Sequence, residues 1–495
     1  MSKWKKLIAV FMVMSMFSLL TACGGKETKD EGKETTKEVT STEVPDSNEG
    51  TPDTSEVTPE ASATPEVEEP VVEPGYEPVD LGKRVIKIGS FFDHWLDTDF
   101  KTIEDVEAAG INYSNAAIMQ MQLDNIAEVA KKWNCEIEWV NLGWDGIQQS
   151  INTSITAGSP ECDIYVCDLQ FALPPALNGY AYDLKEICPE GADVLADNII
   201  FETYDALGAD TFLFKEVTGY PTGGYFLGYN ADMLDSLGLE RPEELAKRGE
   251  WTWDKFAEYL KICTQDTDSD GNPDIYGYGS AWNITVDSFK ASNNGAIAVS
   301  LTETLSSPEV VETFEFIQKI YVEDKTARPI QAVWEDNLYG WSTGKTVFGI
   351  VQPWQIDGQK GNYDFTLRIA PVPVGPSGDD SKSAPLVFNT YFISQGIEDP
   401  TSVYCVFEEL INWFDYDTEW RDDPSYLEMM FEDEEQFQLA LDISNKAMID
   451  NWNYVDRQTW AVATVFSVVT NGDMTAAQAI DSYKQLLQDE LDAYK

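Results

Sequence analysis

Between residues 84 and 167 the hydrophobic positions switch repeatedly between two periods. Arg84 to Ile88 (RVIKI) alternates as a strand does, and Asp124 to Trp133 places Ile126, Val129, Ala130 and Trp133 on one helical face. Cys135 to Val140 (CEIEWV) alternates again, Ile147, Ile151 and Ile155 recur at helical spacing up to Gly158, and Asp163 to Cys167 (DIYVC) is a short apolar strand. The order β-α-β-α-β predicts an α/β fold with a mostly parallel sheet and helices on both faces. In such sheets ligands bind beyond the carboxyl ends of the strands. Those ends are Ser90 to Trp95, Asn141 to Asp145 and Asp168 to Phe171, and each mixes aromatic with hydrogen-bonding side chains. A sugar ring requires that mixture, flat apolar faces to stack on and planar polar groups for its hydroxyls.

The pattern at the amino terminus is different. Lys3, Lys5 and Lys6 precede an apolar run from Leu7 to Leu20, and Leu20-Thr21-Ala22-Cys23 ends the segment. The run is short for a membrane span, which needs ~20 residues, so residues 1–22 are expected to be a cleaved export signal. These residues resemble the lipobox of bacterial lipoproteins, which implies cleavage before Cys23, lipidation of its thiol and residence on the outer face of the cytoplasmic membrane. A plain signal peptide with an incidental cysteine is the alternative. Residues 23–83 hold Glu, Thr, Pro, Ser, Asp and Lys with almost no large apolar side chains, which cannot offset the entropy of ordering. They are expected to be a flexible tether with a mean reach of ~40–45 Å; a glycosylated stalk is the alternative.

Composition narrows the field. The chain carries 33 Lys+Arg against 87 Asp+Glu, a net charge of -54, which repels nucleic acid and anionic lipid surfaces. Its one histidine, His94, is too little for a zinc cluster or a histidine-based triad and is expected on the surface. Besides Cys23 the chain has Cys135, Cys162, Cys167, Cys188, Cys263 and Cys405, which an exported chain could pair; Cys135, Cys162 and Cys167 fall in or beside strand-like runs without metal-ligand or disulfide-framework spacing, so buried free thiols are expected.

Farther along, motifs accumulate in a fixed order: Gly219 to Leu234 (GYPTGGYFLGYNADML), Trp251 to Phe256 (WTWDKF), Asp266 to Tyr276 (DTDSDGNPDIY) and Ser307-Pro308-Glu309-Val310-Val311. They continue with Gly344 to Phe348 before Gln352-Pro353-Trp354, Ala370 to Pro376 (APVPVGP) and Asn471 to Ala479 (NGDMTAAQA). In that order the chain from residue 84 onward resembles family 1 extracellular solute-binding proteins, the lipid-anchored receptors of ATP-binding cassette importers. The resemblance implies a two-lobed periplasmic-binding-protein-like fold, with lobe 1 at 84–219 plus 367–412 and lobe 2 at 220–366 plus 413–495. It also implies a cleft that closes by a hinge, a sugar or oligosaccharide ligand, permease subunits as partners, a monomer, and no catalysis or required cofactor. Local chemistry is consistent with it: Ser307 and Pro308 form an N-cap with Pro at the first helical position, and Thr475 with Gln478 forms a capping box before an amphipathic helix through Ile480, Tyr483, Leu487 and Leu491.

Carried onto this chain, the resemblance implies ligand contacts from Asp93, Trp95, Trp144, Asp168 and Phe171 in lobe 1. From lobe 2 it implies Trp282, Asn283, Trp354 and Trp460, with Asn389 and Tyr391 added by the returning segment. Each aromatic could instead be core, and Asp168 a helix cap; Trp413 and Trp420 are left to packing. Independently, Asp266-x-Asp268-x-Asp270-Gly271 with Asp274 has the spacing of a loop that wraps calcium, but Gly277 stands where the closing Glu belongs. The loop is either a structural calcium site or a turn bonded to its own carboxylates. Two other functions compete: a secreted glycoside-active enzyme, which needs a pair of facing carboxylates, and a sensor or adhesin on the same scaffold.

Overall fold

The computed structural model describes residues 76–92, 96–111, 113–190, 192, 212–214, 224–379, 389–414, 417–431, 433–447, 456 and 459–493. The expected signal, Cys23 and nearly all of the tether lie outside them, as do Asp93, His94 and Trp95.

The first lobe follows the alternation. Its elements are β1 (Arg84–Ser90), α1 (Ala116–Trp133), β2 (Cys135–Asn141), α2 (Gly143–Ser150), β3 (Ile164–Cys167) and α3 (Leu169–Leu177). β1 pairs in parallel with both β2 and β3. Helix α1 begins eight residues earlier than the expected Asp124, because Asn115 accepts the Ala117 and Ile118 N–H groups as its N-cap. It ends where Asn134 turns left-handed, and Met119, Leu123, Ile126, Val129 and Trp133 are buried along one face. Ile147, Ile151 and Ile155 are buried together, the last two in a π-helical turn, Ile151–Ile155, that extends α2.

The second lobe contains β4 (Phe226–Asn230), α4 (Trp253–Cys263), β5 (Tyr276–Tyr278), α5 (Trp282–Ala291), a small hairpin of β6 (Ala298–Val299) and β7 (Thr302–Glu303), α6 (Pro308–Gln318), β8 (Thr346–Val351), α7 (Pro353–Gly358) and β9 (Leu367–Ala370). Its sheet order is β5-β8-β4-β9. The chain then returns as β10 (Thr390–Ile393), antiparallel to β3, and α8 (Pro400–Ile411), which packs on α1. Finally α9 (Glu434–Asn445) covers β9, while α10 (Ala461–Thr470) and α11 (Ala476–Asp492) pack on each other and on α6. The Ser307 cap and the Thr475–Gln478 capping box are both formed.

In the second sheet β5, β8 and β9 run in one direction and β4 runs against them. In each lobe the strand that arrives from the other lobe, β4 or β10, runs against the others. One boundary changes: lobe 1 does not resume at residue 367. Leu367–Ala370 pairs with β4, and the following segment stays on the second lobe, where Val374 N–H bonds the Trp251 carbonyl (3.0 Å) and Gly375 N–H the Ser292 carbonyl (3.0 Å). The chain is on the first lobe's sheet again at Thr390, which pairs with Cys167. A four-residue strand such as Leu-Arg-Ile-Ala carries no mark of which sheet will pair with it, so only the ladder decides.

One cluster of buried side chains is continuous from Tyr165, Phe171 and Leu173 of the first lobe to Tyr225, Leu227 and Phe348 of the second. Separate clusters close the outer faces of the two sheets, around Ile88, Val166 and Phe407 in one and Val351, Ile369 and Phe437 in the other.

Candidate functional site

In the first lobe the three strand ends do converge. The Leu142 N–H bonds the Ser90 carbonyl at 2.8 Å and the Asn141 side chain accepts the Gly143 N–H at 2.8 Å, which sets Trp144 in the first turn of α2. Trp144 is 48% exposed and stands edge-on to Phe91 (5.1 Å, 90°) and Phe171 (4.7 Å, 71°). Phe171 is buried, so it backs the indole of Trp144 and does not itself offer a face. Asp168 is the N-cap of α3, accepting the Gln170 N–H at 3.0 Å.

In the second lobe Trp282 opens α5, half-buried, with Asn283 beside it; the Asn283 Oδ1 is enclosed and has no hydrogen-bond partner among the described residues. Trp354, in the first turn of α7, is 51% exposed, and its Nε1–H donates to Gln352. Gln352 in turn reaches the phenol of buried Tyr225, just before β4. Burial first, then the carboxylates of Asp287 and Asp168, push the Tyr225 phenol well above its ordinary pKa. An acid from each lobe therefore acts electrostatically on one phenol. Asp287 is further matched by Lys290, 3.1 Å away and equally enclosed on α5.

Trp460 arrives from a third direction. It is 43% exposed, precedes α10 in the left-handed region (φ 53°) and lies 6.4 Å and 65° from Trp282. The Asp456 carboxylate holds this geometry by accepting the N–H groups of Ala461 and Val462, both at 2.7 Å, and the Thr459 hydroxyl at 2.9 Å. Glu490 accepts the Thr459 N–H at 3.1 Å. Burial raises the Asp456 pKa, against the lowering effect of those hydrogen bonds. A non-glycine residue at positive φ carries strain of about 1 kcal/mol or more, and such positions cluster at functional sites.

The remaining predicted residues divide. Asn389 is half-buried at the start of β10. Tyr391 is 3% exposed in the first lobe's outer core, against Phe214 (5.4 Å) and Phe407 (5.2 Å), and does not join the cleft. Its register partner is Val166, which faces the same outer cluster. Asp93 and Trp95 lie outside the described residues. Sequence reasoning missed Tyr225, Gln352 and Asp287. The first two sit inside the family-like motifs, but Asp287 lies mid-helix with no local signal.

The acidic loop is at the amino end of β5, opposite the cleft. Carboxylates of Asp266, Asp268 and Asp274 converge within 4.8 Å, whereas Asp270 bonds Asn272. Asp266 accepts the N–H groups of Ser269, Asp270 and Gly271, and Asp274 those of Thr267 and Asp268. The six described cysteines are free thiols; burial pushes Cys162, Cys188, Cys263 and Cys405 up to about 12 and Cys135 to about 11.

Residues 122–404 match the sequence model of a family described as bacterial extracellular solute-binding protein. No curated protein matches the chain in sequence. Among solved structures, the maltose/maltodextrin-binding domain from Bdellovibrio bacteriovorus bound to maltotriose is 15% identical, with 83% of this chain and 99% of that one covered and a TM-score of 0.56. The cyclic alpha-maltosyl-1,6-maltose binding protein from Arthrobacter globiformis is 16% identical over 83% and 99%, with a TM-score of 0.57. UgpB from Mycobacterium tuberculosis in complex with glycerophosphocholine is 16% identical over 76% and 96%, also at 0.57. At this identity the similarity is one of fold: two α/β lobes of the periplasmic-binding type.

Proposed function

The chain belongs to the bacterial extracellular solute-binding protein family, and we propose that within it this protein is a lipid-anchored receptor that captures a sugar or oligosaccharide and delivers it to an ATP-binding cassette importer. The observation that carries the reading is the set of exposed indoles that follow strand ends or flank Trp282, Trp144 on one lobe and Trp354 and Trp460 on the other, together with Gln352, which bonds both Trp354 and the Tyr225 phenol. Indole faces supply stacking area, and the amide, phenol and carboxylates supply hydrogen bonds to hydroxyls. Among the similar structures, one bound to maltotriose and one of a cyclic alpha-maltosyl-1,6-maltose binding protein support this class, and a glycerophosphocholine complex stands beside them.

Capture needs no bond chemistry. With the acids on different lobes, ligand hydroxyls that bridge them favour the closed state, and the binding free energy shifts an open–closed equilibrium. The same geometry weighs against a glycoside-cleaving enzyme, which needs a free acid and base across the scissile bond: Asp168 is engaged as a helix cap and Asp287 pairs with Lys290. Cys23 is the lipid attachment point, residues 23–83 the tether, and the outer face of the cytoplasmic membrane the location; a Cys23→Ala chain should be released into the medium.

The deciding experiment is thermal shift of the protein against mono- and oligosaccharides, with amino acids and polyamines as controls. A sugar that raises the melting temperature with concentration, without being consumed, supports the receptor. Turnover moves the case to the enzyme, and a shift with amino acids or polyamines alone discards the sugar.

A further inference from the structure

The second sheet continues beyond its named strands. Ala327 forms a parallel bridge with Tyr278, with Tyr278 N–H bonding the Thr326 carbonyl (3.2 Å) and Arg328 N–H the Tyr278 carbonyl (2.8 Å). Residues 326–328 thus act as one more strand on the outer edge of β5, running in its direction. The chain leaving residue 328 must therefore emerge at the same end of the sheet as the chain leaving β5 and β8. After β5 come Trp282 and Asn283, and after β8 come Gln352 and Trp354. After residue 328 comes a tip carrying Ile330, Val333 and Trp334, respectively 40%, 53% and 43% exposed.

This tip is held rigidly. The buried Asn337 accepts the Gln331 N–H at 2.8 Å and donates to the carbonyls of Gln331 (3.1 Å) and Val333 (3.0 Å). The Arg328 guanidinium bonds the Asp336 carbonyl at 2.8 Å, and the short helix Trp334–Leu338 then leads back toward β8. A buried amide with its hydrogen bonds directed into a loop fixes that loop, yet the loop presents an indole and two aliphatic side chains to water. Solvating such a surface is unfavourable, so a fixed apolar tip next to a cleft is a contact surface. Strands lie ~4.8 Å apart, so the tip is displaced from the strand that carries Trp354 by about 10 Å along the sheet edge, on the far side of Trp282. That displacement is comparable to the length of a disaccharide.

We propose that Ile330, Val333 and Trp334 form an outlying stacking subsite of the cleft, so that the ligand is an oligosaccharide whose outer units lie on the Trp334 indole. The inference rests on the sugar-receptor reading. The tip extends the line of the Trp282 and Trp354 loops, which favours a linear ligand as its occupant over a protein surface.

The test is calorimetric titration of the full chain and of Trp334→Ala and Trp334→Phe with oligosaccharide ladders of one to six units from α-glucan, β-glucan, xylan and mannan. Expected is a wild-type affinity that rises up to three or more units, with Trp334→Ala losing about tenfold for the longer members only. Trp334→Phe, which keeps a flat face, should recover most of the loss, and equal melting temperatures would exclude misfolding. Equal affinity of wild type and Trp334→Ala at every length overturns the subsite. If such a variant also fails in uptake by cells, the tip is a permease-docking surface and the subsite is again rejected. Equal loss at all lengths makes Trp334 part of the central site and rejects an outlying one. If no ladder binds the wild type, the receptor reading fails, and the subsite with it.

Discussion

Trp460 stands 6.4 Å from Trp282, their planes inclined at 65°, although 177 positions separate them in the chain. Only the second is placed by a regular element; the first is set by a left-handed residue that Asp456 and Glu490 hold from behind. Trp354→Ala and Trp460→Ala should each weaken sugar binding about tenfold, ~1.4 kcal/mol. Because each ring is about half exposed, the melting temperature of the ligand-free protein should stay nearly constant. Calorimetry and thermal unfolding on the same samples separate the two effects. A large stability loss with unchanged affinity would make these rings core.

Lys290→Met should be severe. It removes the ammonium that offsets Asp287 in an enclosed position, and breaking such a buried pair costs about 3–5 kcal/mol. Replacing both, as Asp287→Asn with Lys290→Met, should restore most of the stability in urea unfolding, yet leave sugar binding impaired because the carboxylate that acts on the Tyr225 phenol is gone.

The raised pKa of Asp456 gives a pH dependence of definite sign. The folded protein holds that proton more tightly than the unfolded chain. The stabilisation is complete below the ordinary carboxylate pKa near 4 and is lost as pH rises through the folded value. Subtracting the stability profile of Asp456→Asn from that of wild type should leave this decline. A flat difference between pH 3.5 and pH 7 would remove the titration of Asp456 from the account.

Asp266→Ala deletes an acceptor of three backbone N–H groups and should lower the melting temperature by about 2 °C, even in chelator. A loss several times larger in millimolar calcium identifies the converging carboxylates as a structural cation site. Equal losses in both conditions leave a turn that is bonded to itself.

Alternation of apolar and polar positions determined most of the first lobe. RVIKI, CEIEWV and DIYVC became β1, β2 and β3, and the isoleucines at 147, 151 and 155 became one buried face. These signals are local, since a strand's inward face and a helix's buried stripe are written within ten residues, and caps such as Ser307 and Thr475 within four. The order of the motifs was likewise enough to identify the family. Tertiary structure alone decided the partner of Leu367–Ala370, the antiparallel course of β4, and the burial of Tyr391, because strand pairing joins segments on terms that neither segment carries. It also decided that Asp168 and Asp287, from different lobes, both act on the Tyr225 phenol. That coupling requires two separately folded sheets to bring their ends near each other, and no spacing along the chain encodes it.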